Sequence, residues 1–174
     1  MKINGFDHGF TRVHADQSAR PAVPGSGGFG DILKEKLAPA PGAAAPGIGL
    51  AAPQVGVGRR VIVVDLSVGE DPEALHIVVN PEIVAKEGES VCEEGCLSVP
   101  DIREKVARPY RVVVRGLDLE GRPVEVEGED LLARAFCHEI DHLDGVLFVE
   151  KLSPLKRALV RKKLKKSAAA PARA

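Results

Sequence analysis

Apolar residues follow two different periods along this chain, and one long stretch follows neither. Residues 60–66 read Arg-Val-Ile-Val-Val-Asp-Leu, a short β-branched run that predicts a buried strand. After a turn at 67–72, residues 76–80 predict a second strand closed by Asn80-Pro81, and 82–89 alternate well enough for a third. Residues 106–109, 111–118 and 123–127 supply further strands, with Glu120-Gly121 turning between the last two. The alternation over 111–115 is too imperfect to assign its faces.

The period then lengthens. Leu131, Leu132, Ala135, Ile140 and Leu143 recur at helical spacing, Glu129-Asp130 stands at the start as a cap, and Gly145 stands at the end. Residues 146–149 leave as a short extended piece. Ser153-Pro154 opens a last helix, on which Leu152, Leu155, Leu159 and Leu164 are apolar among Lys156, Arg157, Arg161, Lys162, Lys163, Lys165 and Lys166. Residues 167–174 should fray. Residues 1–46 carry no sustained period: their glycines and prolines predict an arm unable to bury much apolar surface, with only 31–37 helical behind an Asp31 cap. His8 and His14 in that arm read as solvated, and His76 as a strand histidine rather than a ligand.

Composition narrows the class. A length of 174 residues, 44% hydrophobic and 28% charged, suits one globular domain. No run of about 18 apolar residues and no basic-then-apolar leader is visible, so neither a membrane span nor a secretory signal is expected and the expected location is cytoplasmic. Three cysteines, Cys92, Cys96 and Cys137, are too few and odd in number for a disulfide scaffold, which leaves a thiolate free for metal. The net charge of −1 hides an asymmetry, because residues 151–174 hold nine Lys or Arg and no acid.

The chemistry centres on His138-Glu139-Ile140-Asp141-His142. On a helix the i, i+4 spacing stacks both imidazoles on one face, where they reach a single cation, and Glu139 follows the H-E-x-x-H pattern of a proton-handling carboxylate that is not itself a ligand. A catalytic site of this type needs a third ligand and an open position. The downstream histidine of one protease pattern is replaced here by Phe148, and Glu150 falls beyond the helix end. Upstream, Glu93-Glu94-Gly95-Cys96-Leu97-Ser98-Val99-Pro100 offers Cys96, with Gly95 allowing a bulge that turns the thiolate off a strand end. A closed structural site of Cys92, Cys96, His138 and His142 is the rival, though 41 residues between the pairs far exceed finger spacing and such a site has no use for Glu139. Gly47-Ile48-Gly49-Leu50-Ala51-Ala52-Pro53-Gln54, small residues with one long amide, reads either as a loop that approaches a ligand or as a plain connection.

Three blocks, residues 47–54, 94–98 and 138–142, together resemble the peptide deformylases in order and separation, and the similarity runs from about 47 to 166. The resemblance implies an α+β fold of antiparallel sheets packed around a central metal-binding helix, with a basic C-terminal helix. It implies hydrolysis of the formyl group from N-terminal formylmethionine of new polypeptides, releasing formate. The ligands would be Cys96, His138 and His142 holding one divalent ion, Fe2+ in most of the family, with Zn2+ or another divalent ion able to occupy the site. Glu139 would move the proton, while Gln54 and the Leu97 N–H stabilise the oxyanion. Ile48, Gly49 and Leu131 match positions near the methionine side chain, Arg103 one on the peptide side, and Glu94 a residue that orders the pocket. The basic helix implies contact with ribosomal RNA; neither DNA nor membrane is implied. The family's usual strand and helix before the first block are missing from residues 1–46. A second reading follows, a metal-stabilised protein- or ribosome-binding module without turnover.

Overall fold

The computed structural model describes residues 47–168. The arm at 1–46, its helical piece and its two histidines therefore lie outside the described residues. Five antiparallel strands form the main sheet in the order β1 (Gly49–Ala51), β2 (Val61–Asp65), β3 (Leu75–Glu87), β6 (Arg111–Leu117) and β7 (Pro123–Glu129). A separate hairpin pairs β4 (Ser90–Cys96) with β5 (Val99–Arg108). Helix α1 (Asp130–Leu143) follows the sheet directly, and α2 (Pro154–Ala168) closes the described chain. This is the expected α+β arrangement.

β2 is the apolar run read from the sequence; flanked by β1 and β3, it buries Ile62, Val63 and Val64 completely. Val112 and Val114 of β6 face the same core, which settles the faces left open above. Onto them α1 lays Ala133, Phe136, Cys137 and Ile140. The helix comes close to β7 because position 128 is glycine: a Cβ there would stand 2.9 Å from Leu132 Cγ and 3.1 Å from Phe136 Cδ2.

The strand predicted to stop at Asn80-Pro81 does not stop. β3 runs through it with a register shift between Val79 and Glu82. Asn80 takes a left-handed φ of 50°, which asparagine tolerates better than most residues, and proline's missing N–H costs nothing at a bulge. Gly116 across the ladder leaves room, since a Cβ there would meet Val78 Cγ1 at 2.4 Å.

Four further readings are corrected. β5 begins at Val99 rather than at 106, because it is one arm of a hairpin whose polar outer face hides its alternation. Glu129 does precede α1 but its side chain caps nothing, and residues 148–151 form a 3-10 turn rather than an extended piece. On α2 the docked residues are Val160 and Leu164, which join Val99, Ile102, Val106, Phe148 and Leu152 in a second core beneath the hairpin. Leu155 and Leu159 point outward at 73% and 59% exposure. α2 also reaches Ala168, two residues into the stretch expected to fray; residues 169–174 lie outside the described part. Gly145, with φ of 72°, ends α1 as expected. Among the described residues no helix is long and apolar enough to cross a membrane.

Candidate metal centre

Two sides of α1 are occupied differently. One packs on the sheet; the other carries Arg134, His138 and Asp141 at i, i+4 and i+7, one stripe turned toward the β4–β5 hairpin. His142, a turn beyond His138, completes the metal face, with ring centroids 4.9 Å apart at 78°.

The hairpin brings the third donor. Its register slips between Gly95 and Cys96, so Cys96 pairs with Val99 across the two-residue turn of Leu97 and Ser98. The slip delivers Sγ to 3.1 Å from His142 Nε2, and donor atoms of Cys96, His138 and His142 all lie within 4.8 Å of one another. Cys92 is exposed and outside this group, so the closed four-ligand alternative has no geometric support. Burial pushes the Cys96 thiol up, yet the hydrogen bonds and charges of His138 and His142 outweigh it and bring it to about 6. One soft thiolate and two imidazoles within this span fit a single transition-metal ion.

Glu139 adjoins the triad but lies outside the three-donor group. It is 4% exposed, and its Oε2 is buried without a hydrogen-bond partner among the described residues. Burial pushes the carboxyl up to about 7 against the pull of His138 and His142. Gly49 of β1 makes its space: a Cβ on that residue would sit 2.4 Å from Glu139 Oε1. Gly49, predicted for substrate contact, thus has a packing role as well.

Gln54 comes from the 3-10 turn Ala52–Val55 that follows β1. Its Oε1 accepts from the Ala51 N–H at 2.8 Å, which fixes the amide orientation and leaves Nε2 to approach Ser98 Oγ at 3.3 Å and His142 Nε2 at 3.1 Å. Leu97 is 55% exposed at the hairpin turn beside it. Ile48 is half-buried against the main core, while Leu131 is 47% exposed on the first turn of α1. Arg103 is exposed, lies over Gly95, and makes no ion pair among the described residues.

Glu94, expected to order the pocket, is the hub of a buried ionic cluster. Its carboxylate takes Arg108 Nε at 2.8 Å, Arg108 Nη2 at 3.0 Å and Arg134 Nη1 at 3.0 Å, and meets His138 Nδ1 at 3.2 Å. Burial raises its pKa, but His138 and Arg108 hold it at about 2. Arg108 continues to Asp141 Oδ2 at 2.5 Å, and Lys151 reaches Asp141 Oδ1 at 3.1 Å. Sequence reading missed Arg108, Arg134, Asp141 and Ser98. The one available signal was Arg134 itself, a charge amid Ala133, Ala135, Phe136 and Cys137, one turn before His138.

A helix-borne histidine pair with an adjacent buried glutamate and a hairpin cysteine defines a distinct class of metal-site protein, and similarity narrows it further. The polypeptide deformylase family model matches residues 33–158. A peptide deformylase of Acidobacterium capsulatum is 55% identical over 110 residues, covering 63% of this chain and 65% of the relative. "Peptide deformylase 2" of Xanthomonas campestris pv. campestris is 55% identical over 122 residues, 70% of this chain and 71% of the relative. The solved peptide deformylase of Legionella pneumophila aligns at TM-score 0.64 and 49% identity, over 72% of this chain and 75% of that one. That of Synechococcus elongatus, in complex with actinonin, aligns at TM-score 0.64 and 41% identity, over 72% and 67%. The chain belongs to the polypeptide deformylase family. It spans 64–65% of the length of the first curated relatives it matches.

Proposed function

We propose that this protein removes the formyl group from N-terminal formylmethionine of new polypeptides, hydrolysing the amide to formate and a free amine. The observation that carries the reading is the convergence of Cys96, His138 and His142 beside a buried, unpartnered Glu139 oxygen. Residues 47–166 are the catalytic unit in this reading, and its location is the cytoplasm.

Cys96, His138 and His142 would hold one divalent ion, with Fe2+ our choice over Zn2+. Bound there, the ion supplies the Lewis acidity that makes water nucleophilic near neutral pH. Glu139 takes the proton from water as the oxygen–carbon bond forms, then delivers it to the nitrogen as the carbon–nitrogen bond breaks. Its raised pKa suits both halves of that transfer. The Gln54 amide, held through Oε1, and the Leu97 N–H stabilise the oxyanion. Ile48, Gly49 and Leu131 receive the methionine side chain, and Arg103 meets the peptide beyond it. Glu94 acts behind the site by orienting His138.

The test is formate release from formyl-Met-Ala-Ser by protein loaded anaerobically with iron. Turnover inhibited by actinonin, the compound bound by the Synechococcus relative, is expected; absence of formate at full metal occupancy sinks the reading and leaves the binding module.

We also propose that α2 meets ribosomal RNA. Arg161, Lys162 and Lys165 stand together on one face of α2, and phosphate binding through them weakens steeply with salt. Co-sedimentation with ribosomes that survives removal of residues 153–174 counts against it.

A further inference from the structure

We propose that Arg134 is a positioning residue of the metal centre: with Arg108 it fills the Glu94 carboxylate, so that His138 is held through Nδ1 and offers Nε2 to the ion. The inference rests on the metal-site reading above.

A guanidinium is costly to bury unless its donors find partners. Arg134 is 5% exposed, and its donors are engaged on both sides. Nη1 gives to Glu94 Oε1 at 3.0 Å and to the Val106 carbonyl at 3.2 Å; Nη2 gives to Ser90 Oγ at 2.9 Å. Ser90 and Val106 belong to β4 and β5, so the side chain is pinned by the hairpin while it touches the carboxylate.

The consequence lies in the count at Glu94. An ionised carboxylate accepts only, at about four lone-pair sites. Arg108 Nε and Arg134 Nη1 take Oε1, and Arg108 Nη2 takes one site on Oε2. The remaining contact is His138 Nδ1, which has to be the donor because Glu94 has no proton to give. A proton on Nδ1 leaves Nε2 as the ring's ligand atom. Without Arg134, Oε1 keeps one of its two bonds, and the carboxylate can rotate about its link to Arg108 and release the imidazole. Position 134 is one helical turn before His138, so the same helix carries both the ligand and its brace.

The probe is Co(II), titrated into metal-free protein in competition with a chelator. Arg134→Met is expected to bind Co(II) 10- to 100-fold more weakly than the native chain. Arg134→Lys should not rescue it, because an ammonium cannot span Glu94 and Ser90 together. In a Glu94→Gln background, adding Arg134→Met should change affinity less than about threefold, since the arginine acts through that carboxylate. In Zn(II)-loaded protein the His138 Nδ1 proton should exchange at least about tenfold faster in the variant, a change that loss of hairpin packing alone would not produce at this one proton. Affinity within about twofold of native, or an undiminished loss in the Glu94→Gln background, overturns the proposal. Should Arg134→Met fail to fold, Ser90→Ala removes only the anchor and should weaken Co(II) about threefold or more; no change there overturns it equally. Failure of the native chain to bind Co(II) would instead sink the metal reading itself.

Discussion

Gly49 and Glu139 share one volume. The carboxylate oxygen Oε1 lies 2.4 Å from where a Cβ on Gly49 would stand, and the glutamate Cγ and Cδ lie 2.9 Å from it. A strand and a helix can bring backbone and carboxylate this close only if the strand residue has no side chain. Gly49→Ala should therefore displace Glu139 while leaving Cys96, His138 and His142 in place. We expect a fall in kcat of about 10²-fold or more, the cost of an ångström-scale misplacement, at unchanged metal content. Metal analysis alongside formyl-peptide kinetics checks it, and an unimpaired kcat would show that the carboxylate does not need that pocket.

Removing the carboxylate itself separates proton transfer from metal holding. Glu139→Ala should retain the ion, because Glu139 lies outside the three-donor group, and should lose about 10²- to 10⁴-fold in kcat. A variant purified without metal would make Glu139 a ligand and reverse the assignment.

The two hairpin cysteines make a paired test. Cys96→Ser replaces a soft thiolate inside the donor group and should weaken Co(II) binding at least about tenfold. Cys92→Ser, at an exposed position outside that group, should leave it unchanged. Equal losses in a chelator competition would revive a four-ligand structural site.

What the sequence could tell depended on whether a signal was local. β2 and α1 were legible because a β-branched run and an H-E-x-x-H helix announce themselves within a few residues. Cys96 was reachable by elimination, and its neighbour Gly95 marked the slip that aims it. The Asn80-Pro81 pair misled for a physical reason: proline forbids a ladder bond, but a bulge needs none there. Arg134 stayed hidden because its partners Glu94 and Ser90 stand 40 and 44 residues away, and a buried arginine makes sense only once they are seen. Gly49 could be read as a ligand-side glycine but not as the seat of Glu139, a contact between strand and helix that no local pattern encodes.

Asp65 gives the pH-dependent case. Its buried carboxylate accepts from the Ser67 N–H at 2.8 Å, the Ser67 hydroxyl at 2.6 Å and the Gly69 N–H at 2.8 Å, tying down the turn between β2 and β3. Burial pushes its pKa up, but these bonds prevail and hold it below the ordinary 3.8. A depressed folded-state pKa means that the stabilisation is complete above the unfolded value and is lost as pH falls through the folded one. Asp65→Asn should cost about 1–2 kcal/mol at pH 7, and the gap to the native chain should narrow in urea titrations as pH falls below the ordinary 3.8. A gap that widens on acidification has the wrong sign for this account.

α2 carries two apolar stripes at i, i+4 spacing, Leu155 with Leu159 and Val160 with Leu164, and periodicity cannot say which one docks. In the fold it is the second that docks: Val160, 5% exposed, enters the core with Phe148 and Leu152, while Lys156 bonds Glu104 at 2.7 Å and Lys163 bonds the Asp101 carbonyl at 2.7 Å across to β5. Deleting methyl groups there leaves a cavity that close packing cannot refill, so Val160→Ala should cost about 2 kcal/mol. Leu155→Ala, on the outward face, should stay within about 0.5 kcal/mol of native. Because Phe148 also stacks on His138, with centroids 6.2 Å apart, Val160→Ala should further loosen Co(II) binding while Leu155→Ala leaves it alone. Equal costs for the two substitutions would mean that the outward stripe is covered, and the helix rotation described here would have to be redrawn.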